Sequence, residues 1–123
     1  VLAAAVPPLG YRVVELRTGE LPPPEQPVSV AGAVLTNRFW RLTLDPSGAI
    51  ISLLDRTAGD RELVQTIDGR RLNDLGGTGG TLAVEHAGPL SATLVATSDD
   101  PVRHTTRVTL TADSPWVRLE NRI

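Results

Sequence analysis

The residues best equipped for chemistry in this sequence are its two histidines and its many carboxylates. His86 and His104 lie on predicted strands, and the chain offers no adjacent pair at metal-ligand spacing. A zinc site needs at least three converging ligands. A shared site with Glu85 or Asp100 stays open in three dimensions, but the pattern favours two ordinary sheet residues and no metal site.

The carboxylates raise the idea of a glycosidase, which needs two acids facing each other across a cleft. Most aspartates stand instead in turn sequences, where the side chain accepts hydrogen bonds from nearby backbone N–H groups. These are Asp45, Asp55, Asp60, Asp68 and Asp113. Asp74 differs, because it lies in the long loop "LNDLGGTGG". The sequence therefore predicts no catalytic residue.

The glycine-rich end of this loop could suggest a phosphate cradle. A P-loop needs Gly-Lys-Ser/Thr leading into a helix, and a dinucleotide site needs a strand-to-helix turn; neither is present. Long loops in tight β domains more often serve sites than scaffold. We therefore expect Asn73, Asp74, Gly76 and Gly77 to face a carbohydrate or a neighbouring domain. A mobile surface loop is the alternative.

Aromatic rings are scarce, which bears on sugar binding because carbohydrate-binding modules stack saccharides on exposed rings. The chain has Tyr11, Phe39, Trp40 and Trp116. Trp40 alternates with two leucines and is predicted to lie in the core. Phe39 and Trp116 fall on faces that carry arginines, so one of them is a candidate for exposure. An autonomous carbohydrate-binding module is therefore the alternative function.

Short strands bounded by turn signals must position these residues. "RFWRLTL" alternates, "DPSG" predicts a turn, and "AIISLLD" is the return strand, predicted to be the more central of the two because it is apolar on both faces. Further strand segments run from "TLAVEHAG" to "PWVRLENRI". The pattern predicts an all-β fold, an antiparallel β-sandwich.

Composition excludes several classes of partner. The net charge is −2 and there is no basic stripe, so we expect no nucleic acid partner. The apolar start "VLAAAV" is too short to span a bilayer, so no membrane partner is expected. Cysteine is absent. That leaves the compartment open, with a slight preference for the cytoplasm.

The chain divides into three segments. Residues 1–20 read as the end of a preceding small β unit, residues 21–27 as a proline-rich linker, and residues 28–123 as the main sandwich. Both ends of the chain fall within strand-like patterns, so we expect an excised piece of a longer polypeptide.

The hairpin "LTNRFWRLTLDPSGAIISLLDRTAGDREL" and the later "VTLTADSPWVRLENRI" resemble the C-terminal β region of glycoside hydrolase family 38, the α-mannosidases. Arg56 stands where that family usually has lysine. The matching positions are Asn37, Asp45, Gly48, Ile50, Ser52, Leu53, Asp55, Arg61, Glu62 and Leu63, with Ser114, Pro115, Val117 and Glu120 later in the chain.

The resemblance implies a role and a set of partners. The chain would be a structural domain, the N-terminal half of a galactose-mutarotase-like supersandwich, packing against an upstream catalytic domain. In the family, that catalytic domain hydrolyses α-mannosides with an aspartate nucleophile and a zinc ion. No catalytic or metal motif of the family matches a position in this chain, so the chain alone is expected to be inactive and to carry no cofactor. The linkage specificity of the parent enzyme is not encoded here.

The same interpretation predicts an assembly. A half sandwich would leave strand edges unpaired and an apolar face uncovered, with Val108, Leu110, Val117 and Leu119 exposed. We therefore expect a homo-oligomer formed through exposed strand edges.

Overall fold

The computed structural model describes residues 24–123 together with Gly19. The predicted small β unit, apart from that glycine, and the first part of the linker lie outside the described residues. Within them the chain forms nine strands in two antiparallel sheets and one short 3-10 turn, Arg56–Ala58. The all-β sandwich prediction is confirmed. No helix of the described part is long and apolar enough to cross a membrane.

The first sheet contains five strands that are neighbours in chain order, each antiparallel to the next. The stretch 28–37 forms two strands, because the chain reverses at Gly32 with φ of +60°. The predicted "DPSG" turn is confirmed, since the Gly48 N–H donates to the Asp45 carbonyl oxygen at 2.9 Å. The strands are β1 (Ser29–Ala31), β2 (Val34–Thr36), β3 (Trp40–Leu44), β4 (Ile50–Asp55) and β5 (Arg61–Glu62).

The central strand of this sheet is β3, so the prediction that its return partner would be the more central strand is wrong. β4 lies beside a two-residue strand, and Ile50 is its only buried residue. The register shifts between Thr43 and Leu44, which interrupts the alternation of β4. Apolar residues on both faces of a strand favour a central position only where both faces are covered, and the outer face here is half exposed.

The second sheet is a four-stranded meander. Its β8 strand alternates strictly between buried and half-buried residues, so one face packs inward along its whole length. The β7 strand follows the same alternation except at Thr93, which is buried on the outer face. The strands are β6 (Thr81–Ala87), β7 (Ser91–Ser98), β8 (His104–Thr111) and β9 (Val117–Arg122).

The two sheets pack face to face over one apolar core. Val108 and Leu110 are fully buried there, and β8 has hydrogen-bonded neighbours on both sides. The expectation that these two side chains would be uncovered is therefore wrong, because the first sheet covers them. On this face apolar side chains remain partly exposed at both edge strands, with Val84 of β6 at 49% and Leu119 of β9 at 39%. The core consists of Val28, Leu35, Leu42, Leu44, Ile50, Ala92, Leu94, Ala96, Val108, Leu110 and Ala112.

A buried amide joins the two sheets. The Asn37 side chain is 1% exposed. Its Oδ1 accepts hydrogen bonds from the backbone N–H groups of Phe39 at 2.9 Å and Trp40 at 2.7 Å. Its Nδ2 donates to the carbonyl oxygen of Thr111, the last residue of β8, at 2.9 Å and to that of Ser114, beyond the strand, at 3.3 Å. The side chain thus shapes the turn before β3 and holds that turn against the second sheet.

The first prediction concerns this amide. Asn37→Ala leaves two N–H groups and two carbonyl oxygens without their partners in a largely buried place. We expect a loss of about 2–4 kcal/mol in the free energy of unfolding, measured by urea denaturation. Gln65→Ala is the control, because that side-chain amide is exposed, and its loss should be about 0.5 kcal/mol or less. Equal losses in the two variants would contradict the joining role of Asn37.

The second prediction concerns the close approach of the β3–β4 turn to β8. Gly48 has φ of +97°, and a Cβ there would lie 2.6 Å from the Thr106 Oγ1. Gly48→Ala should therefore cost about 2–4 kcal/mol. Gly32→Ala is the control, since its φ is also positive but a Cβ there meets nothing within 4 Å, and about 1 kcal/mol is expected. Equal melting temperatures of the two variants would argue against a steric contact.

Candidate functional site

The loop predicted to serve a site is folded onto the sandwich. The Ile50 N–H at the start of β4 donates to the Leu72 carbonyl oxygen at 2.9 Å. Asp68 and Gly69, both with positive φ, form a tight two-residue turn closed by reciprocal backbone bonds between Ile67 and Arg70. At its far end, Gly80 lies so close to the Pro46 carbonyl oxygen that a Cβ would come within 2.3 Å of that oxygen. The described loop therefore has a fixed path.

Asn73 ties this loop to both sheets. Its Nδ2 donates to the Gly48 carbonyl oxygen at 2.9 Å, and its Oδ1 accepts from the Asn121 Nδ2 at 2.7 Å. Asn121 in turn accepts a hydrogen bond from the Thr106 hydroxyl at 2.8 Å. The three side chains form a polar chain that links the turn before β4 to β9. Sequence reasoning singled out Asn73 but not Asn121, because they are 48 positions apart.

Asp74 and the two glycines shape the loop locally. The Asp74 Oδ1 accepts from the Gly76 N–H at 2.9 Å. A Cβ on Gly77 would lie 2.1 Å from the Asp100 carbonyl oxygen, and the Asp100 carboxylate accepts from the Thr78 N–H at 2.9 Å. These contacts give each of the residues a structural task. That the loop faces a carbohydrate or a neighbouring domain stays a prediction.

The two histidines do not come together. His86 is exposed, whereas His104 is buried with Nδ1 2.8 Å from the Val102 carbonyl oxygen and Nε2 2.8 Å from the Ser47 carbonyl oxygen. Because both ring nitrogens face acceptors, the doubly protonated ring satisfies both contacts. The carbonyl of Ser47, and then that of Val102, raise the pKa of His104 against the opposing effect of burial.

Several carboxylates accept hydrogen bonds from nearby backbone N–H and hydroxyl groups. Hydrogen bonds from Ser47, with the positive charge of Arg71 further away, lower the pKa of Asp45. Glu62 accepts from the Ser52 hydroxyl at 2.6 Å and from the N–H groups of Leu53 and Val64, and these bonds, led by that of Ser52, lower its pKa. Glu62 thereby supplies an acceptor for β4 where the neighbouring strand is short.

The prediction that aspartates accept hydrogen bonds from the backbone of turns is confirmed for Asp45 and Asp55. The Asp55 side chain accepts from the hydroxyl and the N–H of Thr57, which lowers the pKa of Asp55. Asp60 and Asp68 adopt positive φ, a backbone conformation that aspartate tolerates in turns. In the part of the chain that is described, no three histidine or acidic side chains lie close enough together to hold a metal ion.

Two clefts open on the described surface. A polar cleft of about 260 Å³ is lined by Glu25, Gln26, Arg38 and Asp113. A wider groove of about 390 Å³ lies along the loop after β5. It is lined by Leu63, Val64, Gln65, Ile67, Arg70, Arg71 and Leu72. The Trp116 side chain, directly before β9, is 79% exposed. Of the two rings considered for exposure from sequence, Trp116 is the exposed one, while Phe39 is half-buried.

Comparison of the chain with protein-family models, with curated proteins and with solved structures finds no match. The described residues define the class of protein as a small antiparallel β-sandwich, with its sheets joined by buried polar side chains.

The third prediction follows from the titrating groups. The raised pKa of His104 means that its contribution to stability is full below the unfolded pKa of about 6.5 and is lost as pH rises through the folded pKa. The lowered pKa values of Asp45 and Glu62 mean that their contribution is present above about pH 4 and is lost as pH falls. Thermal melts across pH should therefore show a maximum between about pH 5 and 6.5.

Two variants assign the alkaline side of this profile. His104→Gln should remove the fall in melting temperature above about pH 6.5, because glutamine does not titrate there. His86→Gln should leave the fall unchanged, since that side chain is exposed. An alkaline fall that persists in His104→Gln would show that another group causes it.

Proposed function

We propose that the chain is a non-catalytic structural β domain of an α-mannosidase-like glycoside hydrolase, which packs against an upstream zinc-dependent catalytic domain. The observation that carries this proposal is structural: residues of the hairpin that resembles family 38 hydrogen-bond to the protein's own backbone. Four of them, Asn37, Asp45, Asp55 and Glu62, accept hydrogen bonds from backbone N–H groups through their side chains.

The individual residues support a scaffold role in different ways. Asn37 joins the sheets through four hydrogen bonds. Gly48 permits the β3–β4 turn to touch β8, and Glu62 completes the hydrogen bonding of β4. The guanidinium of Arg56, at the position where the family usually has lysine, donates to the Asn37 carbonyl oxygen. Residues with these roles stabilise the fold, as expected of a structural domain.

The titrating groups support the same role. A general acid works best when its pKa lies near the operating pH. The pKa values of Asp45, Asp55 and Glu62 are lowered by their hydrogen bonds, so these carboxylates are poor proton donors at neutral pH. His104 lies between two backbone carbonyl oxygens inside the protein, out of reach of a substrate.

The partners of the domain follow from the proposal. The parent enzyme would act on a mannoside, with zinc held in the upstream domain. The loop carrying Asn73, Asp74, Gly76 and Gly77 would face that domain, because it is fixed in place by contacts to both sheets. A loop with a fixed path is a better docking surface than a mobile one, since less conformational entropy is lost on binding.

The fourth prediction tests this function. The isolated chain should not hydrolyse aryl α-mannosides, whereas the polypeptide encoded together with its upstream region should do so in a zinc-dependent manner. In that longer enzyme, Asn37→Ala should lower the melting temperature and leave KM unchanged, because the residue acts only on the scaffold. Asp74→Ala should alter kcat or KM if the loop faces the catalytic domain.

Two results would contradict the proposal. One is hydrolysis by the isolated chain that survives purification and disappears in Asp74→Asn or His104→Gln. The other is a longer polypeptide without mannosidase activity on any linkage tried. Unchanged kinetics in Asp74→Ala would remove only the role of the loop.

A further inference from the structure

We propose that Trp116 and the polar cleft of Glu25, Gln26, Arg38 and Asp113 form a binding site for a neutral oligosaccharide. The site lies at the end of the sandwich where the turn before β3 meets turn 112–116, between β8 and β9. It does not depend on the function proposed above, because a scaffold domain and an autonomous module could both carry it.

The exposed indole is the first observation. Trp116 is 79% exposed, while Trp40 packs against the core. An indole offers a large flat apolar surface with a polar edge. One face of a pyranose ring presents C–H groups that pack on such a surface, while its hydroxyl groups project sideways and need hydrogen-bond partners. An exposed tryptophan therefore suits a sugar when polar groups lie beside it.

The rigidity of the turn is the second observation. The Trp40 Nε1 donates to the Pro115 carbonyl oxygen at 2.7 Å. The Asn37 Nδ2 donates to the Ser114 carbonyl oxygen at 3.3 Å, and the Trp116 N–H donates to the Ser114 hydroxyl oxygen at 3.3 Å. These bonds fix the backbone that carries the exposed ring. A preformed platform loses little conformational entropy when a ligand binds.

The polar cleft is the third observation. Asp113 stands three positions before Trp116, so their Cα atoms are at most about 11 Å apart. The Arg38 guanidinium lies 3.9 Å from the Asp113 carboxylate and 5.0 Å from the centre of the Phe39 ring, which orients its remaining N–H groups. With Gln26, the cleft offers both donors and acceptors to hydroxyl groups.

The charges of the cleft select the class of ligand. Two carboxylates, from Glu25 and Asp113, outnumber the one guanidinium of Arg38. This balance disfavours phosphate and acidic sugars, which need a surplus of positive charge. Along β9 the ring is followed by the ion pair of Arg118 and Glu120 at 3.4 Å. The centre of a protein interface is depleted of charged residues. A polyhydroxyl ligand therefore fits these charged surroundings better than a protein partner does.

Calorimetric titration of the 123-residue chain tests the proposal, with manno-, gluco- and galacto-oligosaccharides as probes. We expect saturable binding of at least one series. Trp116→Ala should weaken that binding about tenfold or more, and Asp113→Asn several-fold. Ile123→Ala is the matched control, because Ile123 is an exposed apolar residue at the other end of β9, and it should leave binding unchanged.

A second measurement reports on the ring itself. The native chain is used, because the Trp40 Nε1 holds the turn that carries Trp116. The sugar that binds should protect Trp116 from oxidation by N-bromosuccinimide, with the oxidised residue located by mass spectrometry of the peptides.

Three outcomes would overturn the proposal. They are the absence of binding across a panel of neutral oligosaccharides, binding that Trp116→Ala leaves unchanged, and the loss of self-association or of docking to the upstream region in Trp116→Ala without loss of sugar binding. The scaffold function is tested separately, by the mannosidase activity of the longer polypeptide with Trp116 intact, so failure of this site and failure of the scaffold function are distinguishable.

Discussion

The pairing of the two sheets depends on the buried amide of Asn37. Its oxygen fixes the backbone before β3, and its nitrogen holds the turn after β8 through two carbonyl oxygens. A backbone group left half-buried without a partner costs about 1–3 kcal/mol. A side chain with two donors and two acceptor sites satisfies all of these backbone groups at once. The apolar core then has a defined alignment of the sheets within which to pack.

A second set of polar contacts reinforces the alignment from the β3–β4 turn. The Ser47 carbonyl oxygen binds the His104 ring, Gly48 touches Thr106, and Asn73 bridges from the turn to the edge strand β9. These groups have low exposure or lie against one another, so their interactions are stronger than in water. The long loop after β5 becomes part of the same network, which explains its fixed path in spite of its glycines.

The side chains that could do chemistry are therefore mostly engaged in holding the backbone. The engagement shifts their titration, downward for Asp45 and Glu62 and upward for His104. Two regions of the molecule therefore differ in their roles. The interior and the turns carry the fold, whereas the end that bears Trp116 and the polar cleft presents an aromatic ring and charged groups to solvent.

Alternation and turn signals in the sequence determined the β-sandwich class, the Asp45–Gly48 turn and the inward position of Trp40, because these depend on neighbouring residues. Which of β3 and β4 is the central strand, the burial of Val108 and Leu110, and the raised pKa of His104 were decided only by the tertiary structure. Each depends on what covers a strand or faces a ring from far along the chain: the His104 ring and its Ser47 acceptor are 57 positions apart. No local pattern records such a contact, since it exists only once the two sheets have met.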